Sequence, residues 1–280
     1  MKKLLFPIIS LLISPLWSQS SPSTKNGQTK IWKDLAYDLG VVFKGVHHAY
    51  KQPLHWQGND YLKLAGVAAG TLGFYLADNE INHVFTRNKK EVPPVLLNYG
   101  WRAGKPLNNY GITGAVYLTG LISKNTKLRR TGVLLISSAT ATGLFQQFIK
   151  TGLGRARPST GLGKNHFKPF DPSSAYSSFP SGHGILTFTT AHAIAKQFDN
   201  NWVKAGVYGI GVIPGLSRIV EDAHWASDVF LSWAMSYFIV ESIDRYLDSK
   251  YDEKYNPGEP KETSLNLTFS GNRLGLQFNF

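Results

Sequence analysis

Six apolar runs dominate the chain, at residues 62–77, 111–122, 132–145, 185–195, 203–216 and 229–243. Each is about 11 to 16 residues long, short of the roughly 18–20 that mark a clear membrane span. All six read as helices. Many contain Gly, Ser or Thr, small residues that let helices pack closely in water or in lipid. A seventh helical stretch precedes them at 31–50, where Ile31, Leu35, Leu39, Val42 and Phe43 recur at helical spacing. The expected fold is all-α, a bundle of about six core helices. The runs fit a buried soluble bundle and a compact membrane bundle equally well.

The ends of the chain differ in kind from this bundle. Lys2 and Lys3 precede an apolar run from Leu4 to Trp17, followed by Ser18, Gln19 and Ser20. This is the three-part pattern of a secretory signal peptide over residues 1–20. Residues 21–30 read as a disordered leader, 31–250 as the helical domain, and 251–280 as a linker and a hairpin. In that tail Leu265, Leu267 and Phe269 alternate with polar residues, as do Leu274, Leu276, Phe278 and Phe280, with Gly271 and Asn272 able to turn between them. A short C-terminal β-hairpin is expected. The chain has no Cys, which excludes disulfides and thiolate metal sites. An exported protein, in the periplasm or in a membrane facing it, is expected to hold itself together by packing.

Thirty Lys and Arg against 18 Asp and Glu give a formal charge of +12. Such an excess favours anionic partners such as phosphate esters or lipid headgroups. No basic helix with interleaved aromatics stands out, so nucleic acid is not expected as a partner. The paired His47 and His48 point in different directions on a helix and read as surface residues.

Three short motifs bear the chemistry. In the first, Lys150 stands near a helix end broken by Gly152 and Gly154, followed by Arg155, Arg157 and Pro158. Arg157 can offer a bidentate fork to phosphoryl oxygens, with Lys150 as a point charge. A solvated basic helix end would look the same. In the second, Pro180, Ser181, Gly182 and His183 precede an apolar helical run. Free N–H groups at that helix start can bind an anion, and His183 can protonate a leaving oxygen. An ordinary Ser-capped helix is the alternative. In the third, Ser217 and Arg218 precede His224 and Asp228. At a spacing of four on a helix, Asp228 can accept a proton from one His224 nitrogen and leave the other free as a nucleophile or base. A structural His–Asp pair is again the alternative. Glu221 and Asp222 belong on the rim, since acids inside would repel a phosphate. Arg155 is a possible helper.

In this order and spacing, Lys150, Arg157-Pro158, Pro180-Ser181-Gly182-His183, and Ser217-Arg218 with His224 and Asp228 resemble the signature of the type 2 phosphatidic acid phosphatase superfamily. That superfamily includes bacterial acid phosphatases and vanadium haloperoxidases. The resemblance runs from about residue 62 to 243 and leaves out the leader and the hairpin. It implies a metal-independent phosphatase without a cofactor. His224 would attack phosphorus to form a phosphohistidine, Asp228 would orient it, and His183 would serve as acid and then base. Lys150, Arg157, Ser181, Gly182 and Arg218 would hold the phosphate. Vanadate would act as an inhibitor, or as the cofactor in the haloperoxidase alternative.

The expected substrate is a lipid phosphate or diphosphate (phosphatidate, polyprenyl diphosphate or a lipid A type), with membrane association. A soluble acid phosphatase acting on small esters is the alternative within hydrolases. Two long loops, at 87–109 and 155–179, are expected, the second bordering the substrate.

Overall fold

The computed structural model describes residues 27–255, 264–270 and 273–279, with side chains from 31 to 255. The signal-peptide segment lies outside them. Eight α-helices are described: α1 (Gly27–Lys51), α2 (Gly58–Arg87), α3 (Pro94–Ala103), α4 (Pro106–Ile122), α5 (Thr126–Leu153), α6 (Gly182–Ala195), α7 (Asn201–Val220) and α8 (Ala226–Tyr255). Strands β1 (Ser264–Ser270) and β2 (Arg273–Asn279) pair antiparallel, with Leu267 opposite Leu276. The chain divides into two compact units, Met1–Leu247 and Asp248–Phe280. The second holds the end of α8 and the hairpin.

Three sequence expectations are corrected. Residues 27–30, expected in a disordered leader, are helical, because α1 begins at Gly27. The expected linker from 251 is still helical to Tyr255. The expected loop at 87–109 contains α3. Pro94 occupies the first turn of α3, where its missing N–H is no loss. The loop at 155–179 is irregular apart from two short 3-10 turns.

α5 is the central post, packing against α1, α4 and α6, while α7 packs against α3 and α6. Val133, Leu134, Leu135 and Ala141 of α5 are wholly buried with Ile185 of α6 and Val240 and Ile243 of α8. Close approach is set by small residues: a Cβ on Gly132 would overlap the Tyr117 backbone, and one on Gly211 would overlap Ala191. Hydroxyls tie α6 to α8. Ser232 Oγ donates to the Ser181 carbonyl at 3.0 Å and Ser236 Oγ to the Ile185 carbonyl at 3.1 Å. At the N-terminal end of α5, Arg129 is buried between Asp34 (2.8 Å) and Asp38 (2.9 Å).

The outer surface is unusually apolar. Leu62, Leu72 and Leu76 of α2, Leu118 and Ile122 of α4, and Leu144 and Phe148 of α5 are all exposed. α5 and α7 are long and apolar enough to cross a membrane. An exposed face of this kind needs a covering phase.

Candidate active site

The C-terminal ends of α5 and α7 and the N-terminal ends of α6 and α8 meet at one end of the bundle. Each end places a motif there. α5 stops where Gly154 adopts the left-handed conformation, φ 58°, and its N–H closes back on the Lys150 carbonyl at 3.0 Å. The chain then turns Arg155 inward and Arg157 toward the loop. α6 starts at Gly182 with Ser181 as N-cap, its Oγ accepting the Gly184 N–H at 3.3 Å. That uses one lone pair and leaves the hydroxyl hydrogen free, with the Gly182 N–H among the orphan donors of the first turn.

His224 is not on a helix. It lies in the turn between α7 and α8, so the expected common helical face with Asp228 does not exist. The turn closes on Arg218, whose carbonyl accepts the Ala223 and His224 N–H groups at 2.9 and 3.2 Å. Asp228 stands in the first turn of α8 and reaches back to the Trp225 N–H at 2.8 Å, in the manner of a capping box.

The partner of the His224 ring is also different from the one expected. Nδ1 lies 2.6 Å from the Ser178 carbonyl and 3.6 Å from Asp228 Oδ2. A carbonyl accepts only, so Nδ1 bears the hydrogen and Nε2 keeps its lone pair. Asp228 acts one step away: its Oδ2 accepts the Ser178 hydroxyl at 2.5 Å. Ser178 therefore holds both groups, His224 by its carbonyl and Asp228 by its side chain. The other oxygen, Oδ1, accepts from Arg155 Nη1 at 2.6 Å.

Arg155 is among the largest wholly buried side chains. Beyond Asp228 it binds Asp78 of α2 through Nη2 at 2.8 Å, and Ser227 Oγ through Nη1 at 2.8 Å. Asp78 in turn accepts the Ser227 N–H and hydroxyl at 2.9 and 2.6 Å. The rings of Tyr75 and Trp225 flank the guanidinium at 4.8 and 5.4 Å. With two carboxylates claiming it, Arg155 is a structural hub and offers no fork to a ligand.

The other cations face differently. Arg157 donates to the Ser174 carbonyl (2.8 Å), the Ala223 carbonyl (3.3 Å) and Ser177 Oγ (3.1 Å). Of its five donors, one N–H on each terminal nitrogen remains, the set needed for a bidentate oxyanion contact. Lys150 Nζ has no hydrogen-bond partner among the described residues. Arg218 pairs with Glu221 and lies over the Trp101 ring at 4.9 Å. Glu221 is thus more than a rim residue. Asp222 is on the rim, accepting from Asn82 at 2.8 Å.

His183 stacks on Trp101 of α3, with ring centroids 5.3 Å apart and planes 21° from parallel. Its Nε2 is inaccessible to solvent and unpartnered. Burial first, then the charges of Arg218, His224 and Lys150, hold its pKa down at about 3, against an opposing hydrogen bond to the Trp101 backbone. Burial likewise takes His224 down to about 4, with Lys150 and Arg157 pushing the same way and Asp228 opposing them. Burial alone would raise Asp228, but its contacts with His224, Arg155 and Ser178 leave it below the usual carboxylate range. Both imidazoles are therefore neutral and one carboxylate is charged, under three cations with unspent donors or charge. This is an oxyanion pocket with a free imidazole lone pair inside it. Among the described residues, no group of His, Asp or Glu converges in the manner of metal ligands.

The structure thus gathers Lys150, Arg157, Ser181, Gly182, His183, Arg218, His224 and Asp228 at one end of the helical unit. Sequence reasoning missed Ser178, Asp78 and Trp101. An acid at the end of an apolar helical run was a signal for Asp78. Ser178 and Trp101 gave none.

Residues 131–247 match the family model described as PAP2 superfamily. The chain is 30% identical over 105 residues to a protein of Rhizobium etli named Lipid A 1-phosphatase, a match covering 37% of this chain and 44% of that protein. It is 31% identical over 105 residues to a Lipid A 1-phosphatase of Rhizobium johnstonii, covering 37% and 42%. A Lipid A 1-phosphatase of Porphyromonas gingivalis is 29% identical over 115 residues, covering 39% of this chain and 23% of that protein. The match spans less than half the length of each of these relatives. No solved structure matches the chain.

Proposed function

We propose that this chain, whose residues 131–247 match the PAP2 superfamily model, is a phosphatase acting on a lipid phosphate. The observation that carries the reading is the His224 ring, fixed through Nδ1 by the Ser178 carbonyl at 2.6 Å so that Nε2 is the free nitrogen. A neutral imidazole with one nitrogen committed is a nucleophile at ordinary pH.

In this reading His224 Nε2 attacks phosphorus in line with the ester oxygen. Lys150, the two free Arg157 N–H groups, Arg218, and the Ser181 hydroxyl and Gly182 N–H hold the other oxygens as charge spreads over them. His183 gives a proton to the leaving oxygen, and the phosphohistidine is then hydrolysed by a water that returns the proton to His183. In the empty site His183 is neutral. A bound phosphate offsets the Arg218 and Lys150 charges that help keep it so. A bound phosphate therefore favours the protonated form of His183.

The apolar exterior supports a lipid substrate and contact with a bilayer. The relatives named Lipid A 1-phosphatase make a lipid A-type phosphate the first candidate. The test is phosphate release from a panel of lipid phosphates, lipid diphosphates and p-nitrophenyl phosphate, with and without detergent, using His224→Ala as the blank. Preference for a lipid phosphate in detergent supports the reading. A protein that is soluble without detergent and favours small esters would replace it with the acid phosphatase alternative.

A further inference from the structure

We propose that Trp101 is the positioning residue for the His183 acid, holding the imidazole flat so that Nε2 faces the leaving oxygen. The inference rests on the phosphatase reading above. The His183 ring is held by a hydrogen bond to the Trp101 backbone, which a change of the Trp101 side chain leaves in place. Its Nε2 is buried with no partner, so no hydrogen bond at that nitrogen fixes the ring. Rotation about the second side-chain torsion of His is soft, with broad wells. Beside that backbone bond, the near-parallel indole 5.3 Å away restrains it.

The helix that supplies Trp101 is itself pinned to the site. α3 lies on α7 so closely that a Cβ at Gly100 would overlap the Ser217 side chain. One turn later, at the C-cap of α3, a Cβ at Gly104 would overlap the His183 ring. These two glycines let α3 come down onto residues of both the second and the third motif. Trp101 is 47% exposed, too open to be explained by core packing alone.

Arg218 and Lys105 also lie against the indole, at 4.9 and 5.0 Å. Arg218 has a second holder in Glu221, and Lys105 is exposed. Loss of the indole therefore falls chiefly on His183. In the reaction step, the ester P–O bond breaks as the bond from phosphorus to His224 Nε2 forms. The departing oxygen takes the proton from His183 Nε2. An alkoxide needs that proton, whereas p-nitrophenolate leaves without it.

Leaving-group dependence is accordingly the readout. Trp101→Ala should lower kcat by about 10- to 100-fold on an alkyl monophosphate, part of the 10²–10⁴ that a general acid contributes. On p-nitrophenyl phosphate the loss should be at most about threefold, the acid being dispensable there. Trp101→Phe keeps a flat ring and should recover most of the loss. Trp101→Leu fills the space without a π face and covers the case in which Trp101→Ala does not fold. The double variant with His183→Ala should be no slower than His183→Ala alone. Equal losses on both esters, or a double variant slowed by the product of the two effects, would overturn the role of Trp101 alone. A folded wild-type chain that cleaves neither ester would overturn the phosphatase reading with it.

Discussion

Arg155 Nη1 lies 2.6 Å from Asp228 Oδ1, and both side chains are almost completely buried. The same guanidinium holds Asp78 at 2.8 Å. Two carboxylates and one cation leave a net negative charge in this cluster, balanced by Lys150 and Arg157 on the ligand side. A buried ion pair adds little over an apolar replacement, but breaking one leaves an uncompensated charge. Arg155→Met should therefore destabilise the helical unit by about 3–5 kcal/mol. The thermal midpoint of the purified protein should fall accordingly, and turnover with it. An unchanged midpoint would show that water or rearrangement replaces Arg155.

Ser178 holds His224 by its carbonyl and Asp228 by its hydroxyl, and the two can be separated. Ser178→Ala keeps the carbonyl and loses only the 2.5 Å bond to Asp228. A hydrogen bond to a charged group is worth about 1.5–3 kcal/mol, so kcat should drop roughly 10- to 100-fold with KM little changed. Asp228→Asn should cost more, because it also disturbs Arg155 and the Trp225 N–H. A larger loss in Ser178→Ala than in Asp228→Asn would contradict the indirect arrangement.

The two histidines give a sign to the pH dependence. Their folded values of about 3 and about 4 lie below the ordinary 6.5. Below 6.5 the unfolded chain binds protons that the folded chain refuses, so stability is full above that pH and falls as pH drops toward 4. A thermal midpoint series from pH 8 to 4 should decline through this window. Saturating inorganic phosphate should shallow the decline, since its charge favours protonated His183. A flat series would mean that the imidazoles are more hydrated than their burial implies.

The helices and the main groups of this site were legible in the chain. Apolar runs seeded with small residues can hardly be anything but packed helices, and three motifs in order define a pocket. What the chain hid depends on tertiary contact. Ser178 acts largely through its carbonyl, which every residue has. Asp78 acts through an arginine 77 positions away. Trp101 was obscured because Pro93, Pro94 and two glycines made its helix look like a loop. The Asp228 role was half-readable: the spacing from His224 brought them close, but a turn replaced the helix and a carbonyl took the ring nitrogen.

Glu221 offers the last test, because it competes with the ligand for Arg218. It sits one helical turn after Arg218 with 28% of its side chain exposed. Arg218 must partly leave it to meet a phosphate. A partly exposed pair of this kind contributes about 0.2–1 kcal/mol, so Glu221→Gln should tighten inhibition by inorganic phosphate or vanadate roughly 1.5- to 5-fold. The change should shrink at high ionic strength, where exposed charges are screened. If inhibition weakens instead, Glu221 serves to aim Arg218, and the acid beside the site helps binding by orientation more than it harms it by charge.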